Sequence, residues 1–254
     1  MIIDTHSHIY LPEFDKDRAA MLARAADEDV RLILMPAIDK ATHEVMLQTE
    51  KDHPATCISM MGLHPCSVKE DYKEQLELIK VYFEKRKFIA VGETGLDFYW
   101  DRTFTKEQYE SLQFQVELAM QYDIPIVIHS RNSTDECIKV IGENQKGKLK
   151  GVFHCFSGNI EQAKQVIDLG FYLGIGGVVT FKNSGLDKVM AEVDMKNIVL
   201  ETDAPYLAPV PFRGKRNECS YLKYVVEKLS EVKGESVENI KSITTRNAKE
   251  LFQI

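Results

Sequence analysis

Several short apolar runs in this chain end directly in a histidine or an acidic residue, and this pattern constrains the fold strongly. For example, Met1-Ile2-Ile3 leads straight into Asp4-Thr5-His6-Ser7-His8. Across five such runs, the polar residues that follow are His6, His8, Glu93, His129, His154 and Asp203. If the runs are parallel β-strands of a barrel, their carboxyl ends open at the same face. We therefore expect these six side chains to converge in the folded protein.

The apolar runs alternate with longer amphipathic segments, which indicates alternating strands and helices. The runs cover residues 2–4, 31–36, 56–61, 88–92, 125–128, 151–154, 171–174 and 197–200. The helical segments lie near 15–29, 41–51, 70–86, 105–122, 133–144, 159–168, 185–193, 218–232 and 236–252. Continuously apolar strands between helices are typical of a parallel sheet that is buried on both faces.

Eight such strands in 254 residues favour one closed barrel, whose usual size is about 250 residues. We predict a single α/β domain over residues 1–254, a somewhat distorted (β/α)8 TIM-type barrel with additional C-terminal helices. An open doubly wound sheet is the alternative. It lacks support because Asp4-Thr5-His6-Ser7-His8 stands where a glycine-rich nucleotide-binding turn would follow the first strand.

Charge and cysteine usage restrict the class of protein. The formal net charge of −7 argues against an extended basic face for coating duplex DNA, although a few arginines could still hold a nucleic acid locally. The five cysteines include no CxxC pair, and residues 1–6 lack a signal-peptide pattern. No apolar run reaches the ~20 residues that span a membrane. We expect a cytoplasmic protein with reduced thiols, no membrane association and no obligate protein partner.

The His6-Ser7-His8 segment is suited to metal binding. Residues two apart on an extended segment share a face, so both imidazoles can reach one ion, and Asp4 is expected on that same face. Glu93 follows Gly92, which would let the backbone approach the barrel mouth. A carboxylate at that position can bridge two cations through its two oxygens. Solvated loop residues are the alternative interpretation for each of these side chains.

The remaining polar strand ends complete two ligand sets. His129 and His154 are expected to hold one ion, while Asp203 joins the histidine pair at the N-terminus in holding the other. Asp203 is also the expected general base, since a carboxylate can take a proton from water at a metal site. Glu201 is a deeper second candidate on the same face, and Asp97 is expected to support a ligand or to be a loop acid rather than to bind metal.

A second group of residues could contact a substrate phosphate. The loop 211–218 contains Arg213 and Arg216, and arginine grips phosphate through two parallel donors. A solvated turn is the alternative for both arginines. His64 ends another strand, and Lys182 follows a glycine-rich strand end. Both are expected substrate contacts, with a structural role as the alternative for His64.

With these residues in view, the whole chain resembles the TatD family of metal-dependent deoxyribonucleases among the amidohydrolase-like barrels. The resemblance rests on residues 4–8, 62–65, 91–97, 128–131, 153–158, 201–205 and 213–218. It implies a distorted TIM-type barrel, hydrolysis of DNA phosphodiesters from the 3′ end, and the six metal ligands named above. Ser7 and Cys219 depart from the family, which often has cysteine and proline at these places.

We therefore expect a 3′→5′ exodeoxyribonuclease that acts on single-stranded DNA ends by two-metal activation of water, with Asp203 and Glu93 as the catalytic carboxylates. The cofactors are expected to be two divalent ions, zinc, magnesium or manganese. Four histidines suit zinc or manganese better than magnesium. One alternative is hydrolysis of an amide, a lactone, a small phosphoester or an aminoacyl-tRNA ester at the same site. The other is a non-catalytic metal-binding protein.

Overall fold

The computed structural model describes all 254 residues, which form eight strands and nine α-helices in alternation. The strands are β1 (Ile2–Asp4), β2 (Val30–Met35), β3 (Cys57–Ser59), β4 (Val91–Asp97), β5 (Ile126–Arg131), β6 (Gly151–Phe153), β7 (Phe171–Ile175) and β8 (Ile198–Leu200). The helices are α1 (Arg18–Asp27), α2 (His43–Asp52), α3 (Tyr72–Lys85), α4 (Thr105–Tyr122), α5 (Thr134–Asn144), α6 (Ile160–Asp168), α7 (Leu186–Glu192), α8 (Leu222–Lys233) and α9 (Val237–Phe252).

The strands form a closed parallel barrel in chain order. β1–β2–β3 and β4 through β8 are two continuous parallel series. Backbone hydrogen bonds join them at both seams, from Gly92 N to Met61 O at 3.0 Å and from Thr5 N to Leu200 O at 2.9 Å. The predicted (β/α)8 architecture is confirmed, because no strand edge remains open.

Alternation along the strands separates two apolar layers. In β5, Ile126 and Ile128 belong to the large layer between strands and helices, while Val127 belongs to a smaller cluster. That smaller cluster lines the barrel interior, and it comprises Ile3, Leu34, Met60, Ala90, Val127, Val152, Val199, Ala248, Leu251 and Phe252. Its last three members come from α9. The added C-terminal helix therefore closes the end of the barrel opposite the polar strand ends.

Two strands run further than their apolar sequences predict. β4 continues to Asp97 and β5 to Arg131, so Glu93 and His129 lie within strands rather than after them. The two extensions pair with each other, and Gly95 opposes His129. A side chain at Gly95, whose φ is +142°, would place its Cβ 1.9 Å from the His129 carbonyl oxygen. Glycine at this position therefore allows the two strands to stay paired up to the site.

None of the nine helices combines the length and the apolar character that crossing a bilayer requires.

Candidate metal centre

Glu93 occupies the middle of a polar cluster at the carboxyl ends of the strands. Its Oε2 atom lies 3.1 Å from His6 Nε2 and 3.4 Å from His8 Nε2. Its Oε1 atom lies 2.9 Å from His129 Nδ1 and 2.8 Å from His154 Nε2. The side chain is only 2 % exposed. The two oxygens of one buried carboxylate therefore face two different histidine pairs.

Asp203 completes the first of these two sets. Its Oδ1 atom lies 3.7 Å from His6 Nε2 and 3.6 Å from His8 Nε2. Asp203 has a positive φ of 56°, and its backbone N donates to the His6 carbonyl at 2.9 Å. This bond ties the segment after β8 to the segment after β1. The two segments therefore carry their ligand-type side chains into the same space.

Hydrogen-bond partners fix which nitrogen of His8 faces the cluster. The Tyr10 hydroxyl donates its single hydrogen to the Pro36 carbonyl at 2.7 Å. The Tyr10 oxygen must therefore accept from His8 Nδ1, which lies 3.0 Å away. A neutral His8 then keeps an unprotonated Nε2 directed at Glu93 and Asp203. Tyr10 was not predicted as a site residue, because its only sequence signal is its place two residues after the histidine pair.

Asp97 orients His129 in the same way. Its Oδ2 atom lies 2.9 Å from His129 Nε2, so that nitrogen donates and Nδ1 is left to face Glu93. Asp97 is almost fully buried and lies outside the ligand cluster, as the sequence analysis expected. Such carboxylate partners fix the orientation and tautomer of metal-binding histidines.

Glu201 supports His154 from a deeper layer. Its Oε1 atom lies 3.4 Å from His154 Nδ1 and also accepts from Cys155 N. Gly174 makes room for it, because a Cβ there would lie 2.3 Å from Glu201 Oε2. Glu201 therefore contacts the far side of the histidine and not the centre of the cluster.

Asp4 does not lie on the face that strand alternation predicts. Its carboxylate accepts from Thr202 N at 2.9 Å and from Thr202 Oγ1 at 2.6 Å, away from Glu93. The alternation is interrupted between Asp4 and His6, since Ile3 faces the barrel interior and His6 does so too. Asp4 thus joins the ends of β1 and β8, and burial raises its pKa to about 7 despite the hydrogen bonds from Thr202.

His64 also lies beside Glu93, but its tautomer sets it apart from the other histidines. His64 Nδ1 accepts a hydrogen bond from Cys66 N at 3.0 Å. A neutral ring in this state carries its hydrogen on Nε2, which lies 3.4 Å from Glu93 Oε1. Its inward nitrogen is therefore a donor, whereas His8 and His129 present lone pairs.

The electrostatics of the cluster favour cations. Burial alone would raise the pKa of Glu93, but His154, His64 and His6 outweigh burial and hold that pKa well below its ordinary value. Burial raises the pKa of Asp203 to about 6, with His154 and His8 opposing the shift. Burial also lowers the pKa of His6, so this ring is neutral.

The side chains present fit divalent metal ions. Anionic Glu93 lies among imidazoles, and the Nε2 atoms of His6 and His8 are 3.3 Å apart. His6 is neutral, whereas neighbouring carboxylates outweigh burial and raise the pKa of His129 and His154. Two lone-pair nitrogens at this distance repel one another unless a proton or a cation lies between them. Imidazole together with carboxylate is the donor set of zinc and manganese sites.

Comparison with known proteins gives the family. A family model described as "TatD related DNase" matches residues 3–253. The uncharacterized metal-dependent hydrolase YabD of Bacillus subtilis is 38% identical over 255 residues, with 100% of both chains covered. The chain belongs to the TatD family. It is thus a metal-dependent hydrolase.

Solved structures agree with the TatD assignment. The crystal structure of YjjV, a TatD homologue from Escherichia coli, has a TM-score of 0.94 and 31% identity, covering 100% of this chain and 98% of that one. A TatD family hydrolase from Entamoeba histolytica has a TM-score of 0.89 at 20% identity, with 98% and 97% covered. The second likeness shows the shared barrel fold.

The two arginines of the basic loop, residues 211–218, have different surroundings in this TatD protein. Arg216 donates to Asp17 Oδ1 and Oδ2 at 2.7 and 2.8 Å and to the Glu13 carbonyl at 2.7 Å. Its guanidinium also lies 4.5 Å from the Phe14 ring centroid. The substrate contact predicted for Arg216 is therefore replaced by a structural one, because an intramolecular carboxylate already occupies its paired donors.

Arg213, by contrast, remains available to contact a ligand. It is exposed, and its guanidinium stacks 3.7 Å from the ring centroid of Phe181, next to exposed Lys182. The hydrogen bond from Val210 N to Thr180 Oγ1 at 2.9 Å holds the two loops together. The structure thus brings Arg213 and Lys182 into one exposed basic patch on the loops after β7 and β8.

Glycine is needed at position 92 for a different reason from the one predicted from the sequence. A Cβ at this position would lie 2.7 Å from Val127 Cβ, on the neighbouring strand β5. Glycine at residue 92 is therefore required for packing between strands and not for approach to the barrel mouth.

Proposed function

We propose that this TatD-family hydrolase is a deoxyribonuclease that removes nucleotides from the 3′ end of single-stranded DNA with two divalent ions. The observation that carries the proposal is the position of Glu93, whose two oxygens face separate ligand sets. Paired ions about 3.5–4 Å apart are typical of enzymes that cleave phosphate esters. The family description supports DNA as the substrate.

The ligand sets follow from the contacts of Glu93. His6, His8 and Asp203 would hold one ion, which could be zinc, manganese or magnesium. His129 and His154 would hold the other, and Glu93 would bridge the two. When bound, such ions supply a water of lowered pKa and offset the negative charge that develops on the phosphoryl group.

Asp203 would act as the general base. Its side chain is 14% exposed, while Glu93 and Glu201 are exposed by only 2% and 1%. A group that receives a proton from water must reach that water, so the most accessible carboxylate of the cluster fits this role. His64, with its hydrogen on Nε2, would donate to a phosphate oxygen. This is the substrate contact expected for it.

Arg213 and Lys182 would bind the DNA backbone beyond the cleaved bond. They form a local basic patch in a chain whose net charge is −7, so they provide phosphate contacts without a general affinity for polyanions.

The test is digestion of a single-stranded oligonucleotide labelled at either end, with magnesium, manganese or zinc and then with EDTA. We expect a ladder that shortens from the 3′ end and disappears with EDTA. His154→Ala should abolish the ladder, whereas His53→Ala, a histidine at the end of α2, should leave it unchanged. An intact oligonucleotide together with turnover of a small ester, an amide or an aminoacyl-tRNA ester would refute the proposal.

A further inference from the structure

Two aromatic side chains beside the metal centre are exposed to solvent. Tyr99 and Trp100 come two and three residues after the end of β4, at the same end of the barrel as Glu93, and their exposed fractions are 51% and 67%. Their rings meet edge to face, with centroids 4.8 Å apart. Adjacent exposed aromatic residues at a site entrance are typical of ligand-binding surfaces.

Arg131 completes this surface. It is the last residue of β5, and its guanidinium lies 3.9 Å from the Tyr99 ring centroid and 5.4 Å from the Trp100 ring centroid. Arg131 is exposed and has no carboxylate within ion-pairing distance. Its charge is therefore free for a phosphate, and its planar face continues the aromatic surface.

The same carboxylate that orients His129 also positions this surface. Asp97 Oδ1 accepts from Tyr99 N and from Trp100 N, each at 3.0 Å, while Asp97 Oδ2 lies 2.9 Å from His129 Nε2. The Phe98 backbone N donates to the Arg131 carbonyl at 2.9 Å. The aromatic pair is thus fixed relative to the metal centre and is not carried by an independent loop.

We infer that Tyr99, Trp100 and Arg131 form a subsite that stacks an unpaired nucleobase of a single-stranded nucleic acid beside the cleaved phosphate. This inference rests on the proposed function and extends it. Aromatic rings combined with arginine are the usual means of holding unpaired bases, because every base offers a π-face. A base within a duplex has no free face, so the subsite selects single strands over double strands.

Trp100 is the only tryptophan in the chain, so its fluorescence reports on the subsite directly. Metal-loaded protein would be titrated with a phosphorothioate-linked oligothymidylate, which resists cleavage, and with an abasic phosphorothioate strand of equal length. We expect strong quenching by oligothymidylate, little by the abasic strand and little by a blunt duplex. Equal quenching by the intact and abasic strands would overturn the inference, since phosphate contact alone would explain it. No quenching by any strand would also overturn it.

Steady-state kinetics of variants test the stacking subsite independently of fluorescence. Trp100→Ala should raise KM for a cleavable oligonucleotide by about 5- to 150-fold, the effect expected for loss of one base stack, with a smaller change in kcat. It should also narrow the difference in KM between intact and abasic strands. Arg131→Gln should raise KM as well. Arg246→Gln, which makes the same charge change on α9 at the opposite end of the barrel, is the control.

Failure of the two proposals can be told apart. If the wild-type protein cleaves no DNA but oligothymidylate still quenches Trp100, the deoxyribonuclease proposal fails and the stacking subsite stands. If DNA is cleaved but Trp100→Ala leaves KM for the intact strand unchanged, the subsite is refuted while the proposed function stands.

Discussion

At the scale of single residues, the position of one hydrogen separates the histidines of the site. His8 and His129 donate to partners outside the cluster and direct lone pairs inward. His64 accepts from Cys66 N and directs an N–H inward. A metal ligand needs a lone pair and a phosphate contact needs a donor. The five histidines therefore cannot be assigned one role from their strand-end positions alone.

This difference predicts how His64→Ala will affect activity and metal content. Loss of a hydrogen bond to a charged group costs about 1.5–3 kcal/mol, so kcat/KM for DNA should fall by roughly 10- to 150-fold. The metal content should remain that of the wild type. His129→Ala is the comparison, because it should lose metal as well as activity. Loss of metal from His64→Ala would show that His64 is a ligand after all.

His43 shows a buried histidine with no evident chemical role. It is fully buried at the start of α2, and its ring nitrogens make no hydrogen bond of good geometry, the Gly62 backbone being a weak polar neighbour. Burial lowers its pKa, although the nearby Gly62 backbone and Asp39 oppose the shift. Protonation therefore favours the unfolded chain. The part of the folding stability that depends on a neutral His43 is fully present above the unfolded pKa of about 6.5. It is lost as the pH falls through the lower pKa of the folded state.

Replacing this ring with leucine should stabilise the protein. His43→Leu removes a buried polar group that is poorly paired and should raise the free energy of unfolding by about 1 kcal/mol at pH 8. The gain over the wild type should be larger at pH 5.5. Urea unfolding in EDTA at both pH values measures it, with His53→Leu as the control. A destabilised variant with an unchanged pH dependence would show that His43 has a partner.

At the scale of secondary-structure elements, the sequence predicted the eight strands and nine helices because buried parallel strands are apolar throughout. It predicted the ends of β4 and β5 less well. Glu93 and His129 interrupt the apolar pattern, yet the β4–β5 pairing resumes at Thr94 after an irregularity at Gly92 and Glu93 and continues through His129. The side on which Asp4 lies was also unpredictable, because alternation fails where β1 meets β8. Hydrogen-bond tautomers depend on residues distant in sequence, such as Pro36 for His8.

The loop before α8 allows two arginines to be compared. Arg216→Ala breaks the pair with Asp17, which is about one-third exposed, so the free energy of unfolding should fall by only about 0.5–1 kcal/mol. KM for DNA should not change. Arg213→Ala should do the reverse, raising KM several-fold without loss of stability. Urea unfolding and steady-state kinetics on both variants would test this. A raised KM in Arg216→Ala alone would restore its predicted substrate contact.

The contribution of the Arg216–Asp17 ion pair to stability depends on pH. The hydrogen bond from Arg216 lowers the pKa of Asp17 to about 2, and Arg24 contributes to the shift. The contribution of Asp17 to stability is therefore present above its unfolded pKa of about 4 and is lost as the pH falls towards 2.

At the scale of the whole molecule, the two ends of the barrel differ: one is closed by apolar packing and the other holds the polar cluster. α9 closes the amino-terminal end with apolar side chains, while the carboxyl ends of the strands hold Glu93 among the histidines. Metal binding should therefore stabilise the entire fold. At free metal about 100-fold above Kd, the gain is about 2.7 kcal/mol, so EDTA should lower Tm by roughly 5–10 °C. Scanning calorimetry measures this shift, which should shrink in His154→Ala.

The number of divalent ions bound per chain tests the central claim most directly. Protein reconstituted with zinc or manganese and freed of excess metal would be analysed by elemental mass spectrometry. The wild type should hold two ions, and Glu93→Gln, which loses the charge of the bridging side chain, should hold at most one. Glu143→Gln, an exposed charge change on α5, should keep both. A single ion in the wild type, or two ions in Glu93→Gln, would contradict the bridged two-ion centre.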